Sequence, residues 1–202
     1  AKLNMCKLNR LLITHWHGDH ILGIPGLFQT LQLNKCSHAL RIYGPRGTKK
    51  YIELMQQLFI KRNELKIEVH EIESGKVFET KDLIVEALPM THVANCLAYS
   101  ISEKEKIRID KKKLAKLKIK GKIIGELAKG KDIIWDNKKI SAKTLIYKEK
   151  GKKIAIVLDT SPNSNAIKIA ENADLLISES TYSQKEIDLA REHKHLTASQ
   201  SA

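Results

Sequence analysis

Residues 14–20 read Thr-His-Trp-His-Gly-Asp-His, at the end of the apolar run RLLIT over Arg10–Thr14. His and Asp each occur eight times in 202 residues. Chance alone would place H-x-H-x-D-H in roughly one chain in two thousand of this composition. Imidazole nitrogens and carboxylate oxygens are the ligands zinc takes when cysteine is absent. A tight loop after a rigid strand aims alternate side chains to two sides. His15 and His17 then face one metal, Asp19 and His20 face another, and Gly18 leaves room for the turn.

Such a motif needs partners at other strand ends. His92 follows the strand-like LIVEALPMT, and Asp159 follows the apolar KIAIVL. Asp159 has two carboxylate oxygens and could bridge two metals. Glu179 follows ADLLIS, and His195 lies in EHKHLTASQSA. An acid that orients an imidazole is a common device for general acid chemistry. His193 competes with His195 for that role. His38 and His70 have no ligand context and read as structural or surface residues. Two metals about 3.5–4 Å apart would clamp a displacement at phosphorus.

The rest of the chain alternates strand-like and helix-like stretches. Strands are expected at Arg10–Thr14, Leu40–Tyr43, Lys66–Ile72, Val77–Thr80, Leu83–Leu88, Leu97–Ile101, Thr144–Tyr147, Lys153–Leu158 and Asp174–Ser178. Helices are expected at 20–33, Lys49–Arg62, Asn165–Asn172 and Gln184–Glu192. In Lys49–Arg62, the residues Tyr51, Ile52, Met55, Leu58 and Phe59 share one face. The simplest organisation is one α/β domain over 1–202 with one inserted arm. No apolar run approaches the ~18 residues of a membrane span. The opening AKLNMCKLNR has no secretory h-region. Cys6, Cys36 and Cys96 are too scattered for a disulfide scaffold and read as buried thiols of a reducing cytoplasm.

Charge is concentrated in one place. Residues 103–131 hold twelve Lys and Arg against four Asp and Glu, a net of +8 in a chain whose total is +13. The stretch has no aromatic residue, Pro or His, so little core is expected from it. It reads as a protruding basic arm, and a basic arm beside a two-metal site implies a large polyanionic substrate.

Together these residues resemble the metallo-β-lactamase superfamily, and within it most closely the ribonuclease Z family. ITHWHGDHILGIPGL, THVANCLAYSI, LDTSP, ADLLISESTY and HLTASQSA are similar to its successive motifs, and the likeness spans nearly the whole chain. The resemblance implies an αββα sandwich with the basic arm inserted between the third and fourth motifs. It implies two zinc ions per subunit, with Mn or Co as alternatives: His15, His17 and His92 on one, Asp19 and His20 on the other, Asp159 bridging. Asp19 would also act as general base, and His195, held by Glu179, would protonate the leaving oxygen.

The implied activity is removal of the 3′ trailer from precursor tRNA, leaving a tRNA 3′-hydroxyl and a trailer 5′-phosphate, by attack of a metal-bridging hydroxide on phosphorus. The alternative is a superfamily phosphodiesterase acting on a small substrate. The arm residues Lys111, Lys112, Lys113, Lys116, Lys118, Lys120, Gly121 and Lys122 would bind RNA. Family arms often carry Gly-Pro where this chain has Gly121-Lys122. A cytoplasmic homodimer is the implied form, with no membrane partner. The resemblance also implies an acidic motif before Ala1 and one more metal-binding histidine after Ala202.

Overall fold

The structure is a computed structural model that describes residues 4–60 and 65–202. The chain forms two compact units: one built from Ala1–Ile101 together with Lys153–Ala202, the other from Ser102–Lys152.

In chain order the first unit begins with β1 (Arg10–Leu12), α1 (Gly18–Ile21), α2 (Ile24–Leu33), β2 (Leu40–Gly44), α3 (Thr48–Phe59), β3 (Ile67–Glu71), β4 (Gly75–Glu79), β5 (Leu83–Met90) and β6 (Cys96–Glu103). The second unit holds β7 (Lys106–Ile109), α4 (Lys111–Lys116), α5 (Ile123–Ala128), β8 (Ile133–Trp135), β9 (Lys138–Ile140), α6 (Ala142–Leu145) and β10 (Ile146–Glu149). The first unit resumes with β11 (Lys153–Val157), α7 (Ser164–Ala170), β12 (Leu175–Ser178), α8 (Ile187–His193) and α9 (Ala198–Ser201).

Two sheets organise the first unit. β1, β2 and β3 run parallel in that order. A second sheet has the order β12-β11-β6-β5-β4, with β11 and β12 parallel and β4 and β5 antiparallel. Three apolar layers hold it together. Ile13, Ile24, Phe28, Leu31, Leu40, Ile42 and Ile52 pack α2 and α3 onto the parallel sheet. Val85, Ala87, Leu97 and Tyr99 meet Leu12, Val77 and Phe78 between the sheets. Met90, Ala98, Val157 and Ile169 seat α7 on the far side. The result is the helix–sheet–sheet–helix layering expected. The Tyr99 hydroxyl donates to the Ile13 carbonyl at 2.8 Å, and Leu97 N donates to the Thr14 carbonyl at 2.9 Å. Both bonds fix the end of the strand that carries the histidine motif.

Several elements differ from expectation. The helix expected over 20–33 is two helices, because Pro25 opens a new first turn in α2. Lys61 and Arg62, part of the expected helix Lys49–Arg62, lie outside the described residues. On α3 the buried face is narrower than expected: Ile52 is buried, whereas Leu58 is 75% exposed. The strand expected over Thr144–Tyr147 begins as the short helix α6, and pairing starts only at Ile146. Cys6 and Cys36 are not free thiols. They form a disulfide, because the fold brings the N-terminal turn beside the end of α2, with their Cα atoms 5.1 Å apart. Cys96 is a buried free thiol.

The second unit begins with the basic stretch and continues past it. β7 and β10 form an antiparallel ribbon, and β8 and β9 a hairpin whose turn residues Asp136 and Asn137 both have positive φ, the backbone a two-residue type I′ turn requires. Leu114, Ile119, Leu127, Ile133, Ala142 and Leu145 form a core of their own, flanked by Trp135. Half of those buried residues lie beyond Lys131, which is why residues 103–131 alone promised little core. Ser102–Lys152 carries 18 Lys and Arg against 7 Asp and Glu, a net of +11, which leaves +2 for all other residues. Among the described residues no helix is long and apolar enough to cross a membrane.

Candidate metal centre

The motif unfolds as its spacing suggests. β1 delivers Thr14 and the fully buried His15 to the sheet edge, and His17 caps α1, whose first turn presents Asp19 and His20. His15 Nε2 lies 3.1 Å from His17 Nδ1 and 3.3 Å from Asp159 Oδ2. His92 Nε2 lies 3.2 Å from the same His17 nitrogen and 3.8 Å from Asp159 Oδ2. On the other side, His20 Nε2 is 3.2 Å from Asp19 Oδ2 and 3.2 Å from Asp159 Oδ2. Asp159 is therefore common to two groups: His15, His17, His92, Asp159, and Asp19, His20, Asp159. Four ligands at the ~2.0–2.1 Å of zinc stand about 3.3 Å from one another in a tetrahedron. The observed spacings cluster around that value, so the donor set fits such an ion.

Hydrogen bonds outside the cluster aim the ligands. His92 Nδ1 is 3.1 Å from the Lys194 carbonyl, to which it donates, leaving Nε2 free to ligate. Burial pushes the His92 pKa down, despite that carbonyl bond, and favours the neutral ring a metal needs. Thr14 Oγ1 lies 3.1 Å from His15 Nδ1. Burial pushes the Asp159 carboxyl up, but the hydrogen bond from His15 and the charges of His20, His15 and His195 outweigh it and hold it well below the carboxylate range. Asp159 has φ of +24°, a backbone state that non-glycine residues rarely adopt. Its carbonyl accepts from Cys96 Sγ at 3.5 Å. Burial raises the Cys96 thiol to about 12, so this sulfur stays protonated beside the cluster rather than ligating.

Glu179 and His195 also meet. His195 Nδ1 lies 3.0 and 3.1 Å from the two Glu179 oxygens. Thr160 N and Thr181 Oγ1 each donate to Glu179 at 2.6 Å. With Asp159 the pair forms a third convergent group, and the His195 ring centre is 5.1 Å from that of His92. His193 is drawn elsewhere: its Nδ1 lies 2.6 Å from the exposed Tyr182 hydroxyl. His38 bonds the Leu8 carbonyl, and His70 stacks on Tyr43. The orienting partners Thr160, Thr181 and the Lys194 carbonyl carried no signal in the sequence. Thr14 alone could have been suspected, as the neighbour of the motif.

In the second unit Lys111, Lys112, Lys113, Lys116, Lys118, Lys120, Gly121 and Lys122 are all exposed. Asp110 caps α4 by accepting from Lys112 N and Lys113 N. Lys113 reaches Asp110 at 3.9 Å, while the other six lysines make no ion pair among the described residues. Gly121 has φ of +83° at the turn into α5, so the turn forms without the family's proline.

Residues 2–107 match the family model described as a Beta-lactamase superfamily domain. A Ribonuclease Z of Picosynechococcus sp. is 35% identical over 206 residues, covering all of this chain and 65% of that protein. A Ribonuclease Z of Listeria monocytogenes is 35% identical over 207 residues, again covering all of this chain, and 67% of the relative. The chain belongs to the ribonuclease Z family. It spans about two thirds of the length of these relatives. The human tRNase Z short form has a similar fold, with a TM-score of 0.67 at 23% identity over 99% of this chain and 68% of that one. The fold is accordingly that of the metallo-β-lactamases, as the motifs implied.

Proposed function

We propose that this chain forms the reactive core of an endoribonuclease that removes the 3′ trailer from precursor tRNA, in a cytoplasmic homodimer that uses two zinc ions. One observation carries the reading: Asp159 is shared by two metal-compatible groups while the Glu179–His195 pair converges on the same carboxylate. Membership of the ribonuclease Z family and the concentrated charge of Ser102–Lys152 support RNA as the substrate.

His15, His17 and His92 would hold one zinc, Asp19 and His20 the other, and Asp159 both. When bound, the ions would supply Lewis acidity and an activated water at neutral pH. Asp19 is exposed beside His20 and is placed to accept a proton from the attacking water. Glu179 fixes the His195 ring through Nδ1, so the other ring nitrogen can give a proton to the departing 3′ oxygen of the tRNA. The products are a tRNA with a 3′-hydroxyl and a trailer with a 5′-phosphate. The exposed lysines Lys111 to Lys122 and the backbone at Gly121 would grip tRNA phosphates, a contact independent of sequence and weakened by salt.

The test is cleavage of a 3′-extended precursor tRNA, run beside His17→Ala and with a chelator. A cut next to the discriminator nucleotide, lost in the variant and the chelator, is expected. Hydrolysis of a small phosphodiester with no cut in the precursor would overturn the reading.

A further inference from the structure

A cavity of about 420 Å³ adjoins the metal centre, and His92 forms part of its wall. That volume lies within the roughly 300–1,000 Å³ typical of small-ligand clefts. Three separate loops supply polar side chains to it: Arg46, Glu73 and Asn95. All three are exposed, and among the described residues none makes a side-chain hydrogen bond or an ion pair. Pro45 and Val93 add apolar surface.

The mounts are rigid although the side chains are free. β1 and β2 are parallel, so the loop after β2 opens at the same sheet edge as the histidine motif, where α/β sheets bind ligands. In that loop Thr48 Oγ1 and Thr48 N both donate to the Pro45 carbonyl, at 2.6 and 3.1 Å, and Gly47 N donates to Glu71 Oε1 at 2.9 Å. Gly44 is pressed against Thr48: a Cβ there would lie 2.5 Å from Thr48 Oγ1. The loop carrying Asn95 is tied down on both sides of it, by Thr91 N to Thr160 Oγ1 at 3.1 Å and by Leu97 N to the Thr14 carbonyl at 2.9 Å.

A cation alone would suit any anion, and a carboxylate alone would repel one. One guanidinium, one carboxylate and one amide around a part-apolar cleft match the parts of a ribonucleotide. Arg46 suits a phosphate, Glu73 accepts from a 2′-hydroxyl, and Asn95 offers donor and acceptor to a base edge lying on Val93. We propose that this cleft holds a single-stranded ribonucleotide flanking the scissile phosphodiester, with Arg46 on its phosphate and Glu73 on its 2′-hydroxyl. The proposal rests on the RNA-cleaving reading above.

Arg46→Ala is compared in the full chain with Lys168→Ala, which removes an equal exposed charge from α7. On precursor tRNA, Arg46→Ala raises KM about tenfold with kcat within about twofold, and lowers the salt slope of log KM by about 0.7–0.9, one phosphate contact. Lys168→Ala leaves both unchanged. Glu73→Gln narrows the preference for a substrate with 2′-hydroxyls over one 2′-deoxygenated at the two nucleotides flanking the cut. Binding of the 5′-phosphorylated diribonucleotide pApA, followed by calorimetry, weakens about tenfold in Arg46→Ala. Equal pApA affinity in Arg46→Ala and Lys168→Ala overturns the cleft, whatever the cleavage result. No precursor cleavage by the unaltered chain overturns the reaction instead, while a pApA affinity that depends on Arg46 still supports the cleft.

Discussion

The two units solve opposite electrostatic problems. The first gathers His15, His17, His20, His92, Asp19 and Asp159 within hydrogen-bond distance of one another, yet its overall charge is only +2. The second carries +11 on 51 residues and keeps six of its lysines without partners among the described residues. Where charges converge, each is aimed by a neighbour: Lys194 on His92, Thr160 and Thr181 on Glu179. Where charges spread, only the backbone is organised, through the Asp110 cap and the Leu127 core. Ion chemistry tolerates errors of a few tenths of an ångström, so it sits on strand ends. A phosphate grip works through many weak, interchangeable contacts, and a small core is enough to present them.

The strongest way to break this contrast is to excise the charged unit. Glu103 N donates to the Lys152 carbonyl at 2.8 Å, so the chain leaves and returns at one point. Replacing residues 104–151 with an Asn-Gly turn is expected to weaken precursor-tRNA binding by about 10³–10⁵, the loss typical of six to ten phosphate contacts. Hydrolysis of a small phosphodiester should stay within about twofold. Equal losses on both substrates would show that the units do not divide the work. The second perturbation acts on the other side. His195→Ala is expected to lower kcat by about 10²–10⁴, with metal content by elemental analysis and precursor affinity unchanged. Lost metal would turn His195 from a proton donor into a ligand.

The smallest effect sharpens the comparison rather than breaking it. Leu127→Ala should destabilise the second unit by about 2–5 kcal/mol. Amide exchange is expected to rise across Ser102–Lys152 and not in β5 or β11. Uniform acceleration would mean that both units unfold as one cooperative body.

The centre was legible from sequence because its chemistry is local or sits at strand ends. His15, His17, Asp19 and His20 are one loop, and His92 and Asp159 each follow an apolar strand. The fold was legible for the same reason, since β5, β6 and β11 are dense apolar runs. What was not legible depends on tertiary pairing. The Cys6–Cys36 bridge joins residues 30 apart in sequence, and only the packed N-terminal turn brings them together. The second unit's extent was hidden because Ile133, Ala142 and Leu145 lie among lysines past the charge run. The strand expected at Thr144 yields to α6, which buries Ala142 and Leu145. Arg46, Glu73 and Asn95 sit on three loops with nothing in their local sequence to link them.

The pinch between Glu103 and Lys152 also bears on how the chain assembles. β6 and β11 are neighbours in one sheet, but 48 residues separate the two sides of the pinch. An open chain must close that whole loop before the strands can pair, at about 0.6 kcal/mol for each doubling of loop length. The contacts inside Ser102–Lys152 are all close in sequence, so this segment can form early. Once formed, it shortens the remaining loop to a few residues and removes roughly four doublings, about 2 kcal/mol, from the closure. The insertion that burdens the sheet with length thus also works as its splint.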